Sequence, residues 1–289
     1  MMIRGKMTIQ KHWGARINMQ EKSLPVLKFN YIKNRIMDSD IKVLEIGCGN
    51  GKILNSIKDF NPSARCYGCD IQKPTVNVDF NFKLIKKNQP LPYKDKFFDV
   101  VVLMDIIEHV KDYKFLISEV KRVMKSTSWL CGFCPVEGQP ISAYSFYKLI
   151  FGRDLYIRTK EHVNAFKRRE LIDMFQCNFN GGEFHYSYHT LGQLMDATLF
   201  MLMQNDWVAK KFWNDNKYYN EDSNKKSIFN RLLTIANAIA YYESRFMMYR
   251  KFTSAGLHFA VRNFEYAPEC YDVIGYPFNN YDDDRWKND

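Results

Sequence analysis

Gly47, Gly49 and Gly51 stand in the run Val43-Leu-Glu-Ile-Gly-Cys-Gly-Asn-Gly-Lys52. Alternating glycines directly after an apolar run let backbone amides come close to a ligand, because glycine has no Cβ to obstruct it and tolerates unusual dihedrals. Dinucleotides use a related turn in GxGxxG spacing. The acid two residues before the first glycine narrows the choice, since Glu45 would repel a pyrophosphate and favour a cationic ligand with a free amino group. Asp70 follows at about 20 residues, the distance at which a carboxylate takes ribose hydroxyls. Further on, Asp105, Glu108 and His109 share one short segment. Imidazole titrates near neutral pH, so His109 could take a proton from a hydroxyl. Acids in the first turn of a helix and a packed histidine account for the same residues through the helix dipole, and both readings stand.

These residues need elements to hold them. Leu24, Leu27, Tyr31 and Ile32 fall at helical spacing. Lys42 to Gly47 reads as a strand, and Ile53, Leu54 and Ile57 after it read as a helix. Arg65 to Ile71 is a second strand, and the short stretch beyond Asp70 leaves its helix short or missing. Phe98 to Met104 is a strand of the buried type, followed by a helix that begins at Asp105, Glu108 and His109 and carries Tyr113, Leu116, Val120 and Val123. Trp129 to Cys134 is a further strand. Alternating strands and helices over residues 40 to 135 imply a parallel, doubly wound α/β sheet with its ligand at the carboxyl ends of the strands. Beyond Pro135 come a helix near Arg168 to Phe175, a strand near Glu183 to Tyr188, helical stretches over residues 190 to 205 and 228 to 250, and a strand from Gly256 to Arg262. Residues 265 to 289 form a polar tail.

The pairs Cys66/Cys69 and Cys131/Cys134 have CxxC spacing, but in strands positions i and i+3 point to opposite faces and cannot share a metal. An odd count of seven cysteines fits reduced thiols.

Taken together, Glu45-Ile-Gly-Cys-Gly-Asn-Gly51, Asp70, Leu91 to Val101, Asp105-Ile-Ile-Glu-His-Val110 and Val120 to Lys125 resemble the class I S-adenosylmethionine-dependent methyltransferases of the small-molecule type, over residues 40 to 176. The resemblance implies a seven-stranded, mostly parallel Rossmann-like sheet with S-adenosyl-L-methionine as cofactor. It implies that Glu45, Gly47, Cys48, Gly49 and Gly51 hold the methionine and ribose portions, that Asp70, with Ile71 beside it, takes the ribose hydroxyls, and that Asp105 lies near the methyl group. The family's acid before the Leu-Pro-aromatic element is replaced by Lys86, Lys87 and Asn88, which leaves Asn88 as the adenine contact. The family's proline-glycine-glycine turn becomes Ser126, Thr127 and Ser128. His162 occupies a position where many relatives place a histidine, as a second catalytic candidate or as a structural one. A Glu-His pair also occurs in metal-dependent RNA-end methyltransferases, which carry further histidines nearby. Here none follows before His162, so no metal is expected.

In the family fold the sixth strand ends at the active-site edge. The chain therefore divides into a leader and helix at 1 to 39, a cofactor-binding domain at 40 to 189 and 256 to 264, a helical lid inserted at 190 to 255, and the tail. His185, Tyr188, His189 and Gln193, with Tyr186 and Asp196, sit at the strand-to-lid junction as acceptor contacts. The aromatic and methionine content of the lid suits a large or apolar acceptor, while a dimer interface or a subdomain core would use the same residues. The oligomeric state is open.

A net charge of +10 favours acidic partners: nucleic acid, an anionic membrane or a phosphorylated substrate. No apolar run approaches the roughly 20 residues of a membrane span, and the first residues lack a signal core. That places the protein in the cytoplasm, with a peripheral encounter at a membrane surface. The reading is methyl transfer to an oxygen, or secondarily a nitrogen, of a small-molecule, glycan or lipid-linked acceptor. Two alternatives are an RNA methyltransferase, disfavoured because no RNA-binding module is appended, and a catalytically silent cofactor-binding partner of another enzyme.

Overall fold

Short runs of β-branched and apolar residues, each followed by a turn, assemble in the computed structural model of the chain, which describes residues 17–152, 162–203, 206–208 and 228–263. The start of the expected leader, much of the expected lid, including Phe212 and Trp213, and the tail lie outside the described residues. Strand β1 (Lys42–Ile46) pairs in parallel with β2 (Arg65–Asp70) and β4 (Phe98–Met104). Strand β3 (Asn81–Leu84) flanks β2, and β5 (Met124–Pro135) flanks β4, both in parallel. Beyond β5, β7 (Gly256–Arg262) runs antiparallel between β5 and β6 (Asn180–Ser187). The order β3-β2-β1-β4-β5-β7-β6 makes one seven-stranded sheet. Its central strands are buried on both faces, as continuous apolar sequence such as Val100 to Leu103 requires.

Helices α1 (Leu24–Lys33), α2 (Lys52–Phe60), α3 (Tyr113–Val123), α4 (Ala143–Phe151) and α5 (Arg168–Asn178) accompany this sheet. Inserted between β6 and β7 are α6 (Thr190–Met203), a three-residue helical turn at Asp206–Val208 and α7 (Ile228–Phe246). The two strand pairs of cysteines divide between the two cores as their spacing dictates: Cys66 and Cys131 enter one cluster, Cys69 and Cys134 the other. Burial pushes the thiols of Cys66, Cys69 and Cys131 up to about 12, so they stay protonated at neutral pH. Cys177 is disulfide-bonded, against the expectation that every cysteine is reduced.

The short stretch between β2 and β3 forms no helix, in keeping with its length, whereas two other expectations change. After β4 the chain makes a short 3-10 turn, Ile107–His109, and the helix starts only at Tyr113. Asp112 caps that helix by accepting from the Phe115 N–H at 3.1 Å, so Asp105, Glu108 and His109 lie before it rather than in its first turn. Strand β5 begins five residues before Trp129 because Ser126, Thr127 and Ser128 form a bulge: the register jumps from Phe98 against Met124 to Val100 against Trp129. Among the described residues no helix is long and apolar enough to cross a membrane.

The loop from Leu91 to Asp95 is fastened to α3 by one ion pair. The Glu119 carboxylate accepts from the Leu91 N–H at 2.7 Å and from Arg122 at 2.7 and 2.8 Å. Arg122 in turn donates to the carbonyls of Leu91 and Tyr93 and to Asp95. Removing Glu119 strands a buried amide and a half-buried cation, so Glu119→Ala is expected to cost about 2–4 kcal/mol in urea unfolding at pH 7. Arg122 holds the Glu119 carboxyl below the usual carboxylate range. Its stabilisation is therefore complete above roughly pH 4.3 and is lost as the pH falls through the depressed value, and the gap between wild type and variant should narrow in acid.

Candidate active site

The glycine turn hangs from the neighbouring strand. The Cys69 carbonyl accepts from the amides of Gly47 at 2.7 Å and Cys48 at 3.2 Å, which fixes the chain as it leaves β1. Gly47, Gly49 and Gly51 all take left-handed φ values of 74, 50 and 77°. A Cβ on Gly47 would run into Ile106 and one on Gly51 into the Phe80 ring, whereas one on Gly49 meets nothing within 4 Å. Gly49 thus borders open space, and the other two glycines let the turn sit tightly on its support. Asn50 accepts from the Thr75 N–H at 2.9 Å and ties the loop after β2 to the turn.

Asp70 ends β2 beside this turn, accepting from the Gly49 N–H at 2.8 Å and the Gln72 N–H at 3.0 Å. Each carboxylate oxygen keeps a lone pair for a ligand hydroxyl. Ile71 next to it is largely exposed. Glu45 lies buried beneath the turn with Oε2 lacking a hydrogen-bond partner. Burial pushes its carboxyl well above the usual range, helped by the charge of Asp70 and opposed by a bond to the Leu54 backbone. A cationic ligand would compensate that buried group. Asn88 is exposed in a left-handed turn (φ 56°) past β3.

At the end of β4, Asp105 takes φ 53° and pairs with Lys28 of α1 at 2.5 Å. Two residues past Ile106, the 3-10 turn presents Glu108, fully buried, and His109, exposed. The segment after residue 161 is stitched onto this turn: the Glu108 carbonyl accepts from the amides of Val163 and Asn164, and the Asn164 side chain donates to the carbonyls of Ile107 and Val110. His162 is thereby carried to His109, with ring centroids 4.7 Å apart. Its Nδ1 bonds Glu137 at 2.9 Å, and both side chains are buried. Sequence reading overlooked Glu137 and Asn164. A signal existed for the first, an acid just past the carboxyl end of β5.

The strand-to-insertion junction is built more for holding than for contact. His189 is fully buried and bonds Thr253 at 2.9 Å, and burial lowers its pKa. Gln193, also buried, donates to the carbonyls of Tyr188 and Thr253 and accepts from the Ala143 N–H. Both expected acceptor contacts are thus committed to joining α4, α6 and the approach to β7. His185 meets the rings of Tyr31 at 4.7 Å and Tyr249 at 5.1 Å edge to face. Tyr188, at φ 52°, packs with Tyr144 and Tyr147 and sits 5.9 Å from the Phe133 ring.

A sheet of this order, with a glycine turn after β1 and a carboxylate ending β2, has the architecture of the class I methyltransferases. The comparisons agree. A family model described as "Methyltransferase domain" matches residues 44–132. A ubiquinone biosynthesis O-methyltransferase of Pelagibacter ubique is 28% identical over 201 residues, covering 63% of this chain and 77% of the relative. Phosphoethanolamine N-methyltransferase 2 of Haemonchus contortus, solved with S-adenosyl-L-methionine, superposes with a TM-score of 0.51 at 14% identity, over 83% of this chain and 53% of that one. The YcgJ protein of Bacillus subtilis gives 0.50 at 16% identity, over 83% of this chain and all of the other (100%). Residues 44–132 are thus a methyltransferase domain, and the chain is an S-adenosyl-L-methionine-dependent methyltransferase enzyme. The orphaned Glu45 oxygen and the open space before Gly49 suit a cationic, ribose-bearing cofactor.

The three glycines separate folding from binding. A side chain at Gly49 meets no protein atom, so Gly49→Ala should cost only the left-handed backbone term of about 1–2 kcal/mol while weakening S-adenosylhomocysteine binding at least tenfold in calorimetry. Gly51→Ala adds the collision with Phe80 and should lose more stability than Gly49→Ala in thermal unfolding.

Proposed function

We propose that this enzyme methylates an oxygen of a small, lipid-linked acceptor while resting peripherally on an anionic membrane surface. The observation that carries the reading is the outward face of α7. The helix turns Asn230, Leu233, Ala240, Tyr241 and Ser244 inward. The apolar series Ile228, Leu232, Ile235, Ile239, Tyr242 and Phe246 is exposed, with Phe246 at 92%. Arg231, Arg245 and Arg250 are exposed beside it. A groove of about 650 Å³ between α7 and the start of α6 is lined by Leu191, Ile235, Ile239, Tyr242, Phe246 and Met247, among others. Helix α4, whose Phe146, Leu149 and Ile150 are also exposed, lies against α6. An apolar stripe with cationic flanks suits an anionic bilayer interface, where side chains enter the acyl boundary and arginines meet headgroups.

The oxygen acceptor is supported by the relative named for O-methylation in ubiquinone biosynthesis. When bound, S-adenosyl-L-methionine supplies a methyl group on a sulfonium. The chain's own residues do the rest. Asp70 and the glycine turn hold and orient the donor, Glu45 offsets its charge, and the inserted helices act as a lid that excludes water and admits the acceptor. His109 and His162 lie where the acceptor's proton must leave.

Two variants separate these roles. Asp70→Ala should weaken S-adenosylhomocysteine binding by about 10- to 100-fold, the value of one or two charge-assisted hydrogen bonds. The double variant Leu232→Asp, Phe246→Asp should keep that binding and lose sedimentation with phosphatidylglycerol-containing vesicles. Vesicle binding equal to wild type would remove the membrane assignment. Transfer of labelled methyl groups to an RNA fraction in preference to a lipid extract would remove the acceptor assignment.

A further inference from the structure

Arg168 opens α5 at the carboxyl edge of the sheet, and its place there is fixed from two sides. The Gly138 N–H, just past β5, donates to the Phe166 carbonyl at 2.9 Å and holds the approach to α5. The strap from Lys251 to Ala255 lies at the same edge, because the Ala255 N–H donates to the Tyr188 carbonyl past β6 and the Ala255 carbonyl accepts from the Val136 N–H past β5. His189 and Gln193 pin Thr253 of that strap. Arg168 Nη1 donates to the Lys251 carbonyl and to the Ser254 hydroxyl, and its guanidinium stands 5.6 Å from the centre of the Tyr186 ring. A guanidinium is a planar fork of N–H donors, and these bonds use one prong of it. Among the described residues the N–H groups of Nε and Nη2 meet no acceptor, and no carboxylate pairs with this half-buried cation. Burial pulls its pKa down, a sign of what desolvation costs the charge. The carboxylates early in α5 are committed elsewhere: Glu170 accepts from the Lys167 N–H at 2.8 Å, and Asp173 pairs with Arg169 at 3.6 Å. Lys167 beside Arg168, and Arg250 and Lys251 on the strap, are exposed cations.

We propose that Arg168, with Lys167 and Lys251 beside it, forms a phosphate subsite for the methyl acceptor. The free side of the guanidinium can take two phosphate oxygens through parallel N–H donors, and the anion offsets the cost of the half-buried charge. Ser254 and the Lys251 carbonyl already hold the fork, so little side-chain freedom is lost on binding. A phosphate carries up to two negative charges and matches several cations better than a carboxylate does. Its place past β5 and β6 puts the phosphate on the acceptor, since the donor's turn follows β1. Tyr249 and Phe252, each 70% exposed, stand on either side of Arg250 and Lys251 in the chain, which sets apolar surface next to the charge as an amphiphilic phosphate requires. The use of this subsite rests on the lipid-linked acceptor reading, whereas phosphate binding at Arg168 does not.

Calorimetry of the full chain with octyl phosphate, kept below micelle-forming concentrations, tests the subsite without methyl transfer. Wild type should bind one equivalent, more weakly as salt rises. Arg168→Gln should weaken binding at least tenfold, the value of a charge-assisted pair of hydrogen bonds. Arg168→Lys keeps the charge without the fork and should lose about fivefold, and Lys251→Gln, at an exposed position, about twofold. S-adenosylhomocysteine binding within about twofold of wild type reports that each variant folds. No binding by wild type at about 1 mM, equal binding by wild type and Arg168→Gln, or octanoate bound as tightly as octyl phosphate overturns the proposal. Sedimentation with phosphatidylglycerol-containing vesicles separates acceptor from bilayer. Arg168→Gln should sediment like wild type, and its loss from the vesicles would make Arg168 a headgroup contact and overturn the acceptor assignment. Failure of wild type itself to sediment counts against the membrane reading alone and leaves the octyl phosphate result readable.

Discussion

Three strands leave the carboxyl edge of the sheet through a residue with left-handed backbone: Gly47 after β1, Asp105 after β4 and Tyr188 after β6. The site depends on these reversals, because each turns the chain sharply aside and keeps the edge clear for ligands. Glycine makes the conformation nearly free, but an L side chain costs about 1–2 kcal/mol there. The non-glycine cases are accordingly tied down. Asp105 donates its N–H to the Phe133 carbonyl and pairs with Lys28. Tyr188 donates to Ser244, and its carbonyl accepts from Ala255 and Gln193. Helix α1 and the inserted helices are thus fastened to the very points where the sheet opens.

The insertion inverts the usual economy of a helix. Its inner face is partly polar and its outer face apolar, so hydrophobic burial does not explain its position. Directed bonds do. Gln193 joins three segments, His189 reaches Thr253, and Glu243 accepts from the amides of Leu191 and Gly192 at the start of α6. Holding a helix by a few directed hydrogen bonds frees its apolar stripe for another use.

Much of this was legible because it is local. Alternation of apolar runs and helical spacing placed six of the seven strands and most of the helices, missing the short, largely exposed β3, and strand periodicity sent the paired cysteines to opposite cores. Glycine spacing marked the turn, since only that residue tolerates its dihedrals. The missing helix after β2 followed from too few residues. Less local features went astray. The start of α3 moved to Tyr113 because Asp112 supplies a cap, and β5 lengthened through a bulge that spacing does not register. His189 and Gln193 were plausible acceptor contacts by position, yet they bond Thr253 and Ala143, 64 and 50 residues away in sequence.

By itself the sequence determined the sheet, the glycine turn and the acids beside it, because strand burial, helix period and glycine's dihedral freedom act over a few neighbouring residues. Only the tertiary structure decided which face of α7 meets solvent and that His162 stands against Glu108 and His109. Both depend on contacts between segments far apart in the chain, such as Asn164 against the turn after β4, and no short-range pattern encodes where such segments meet.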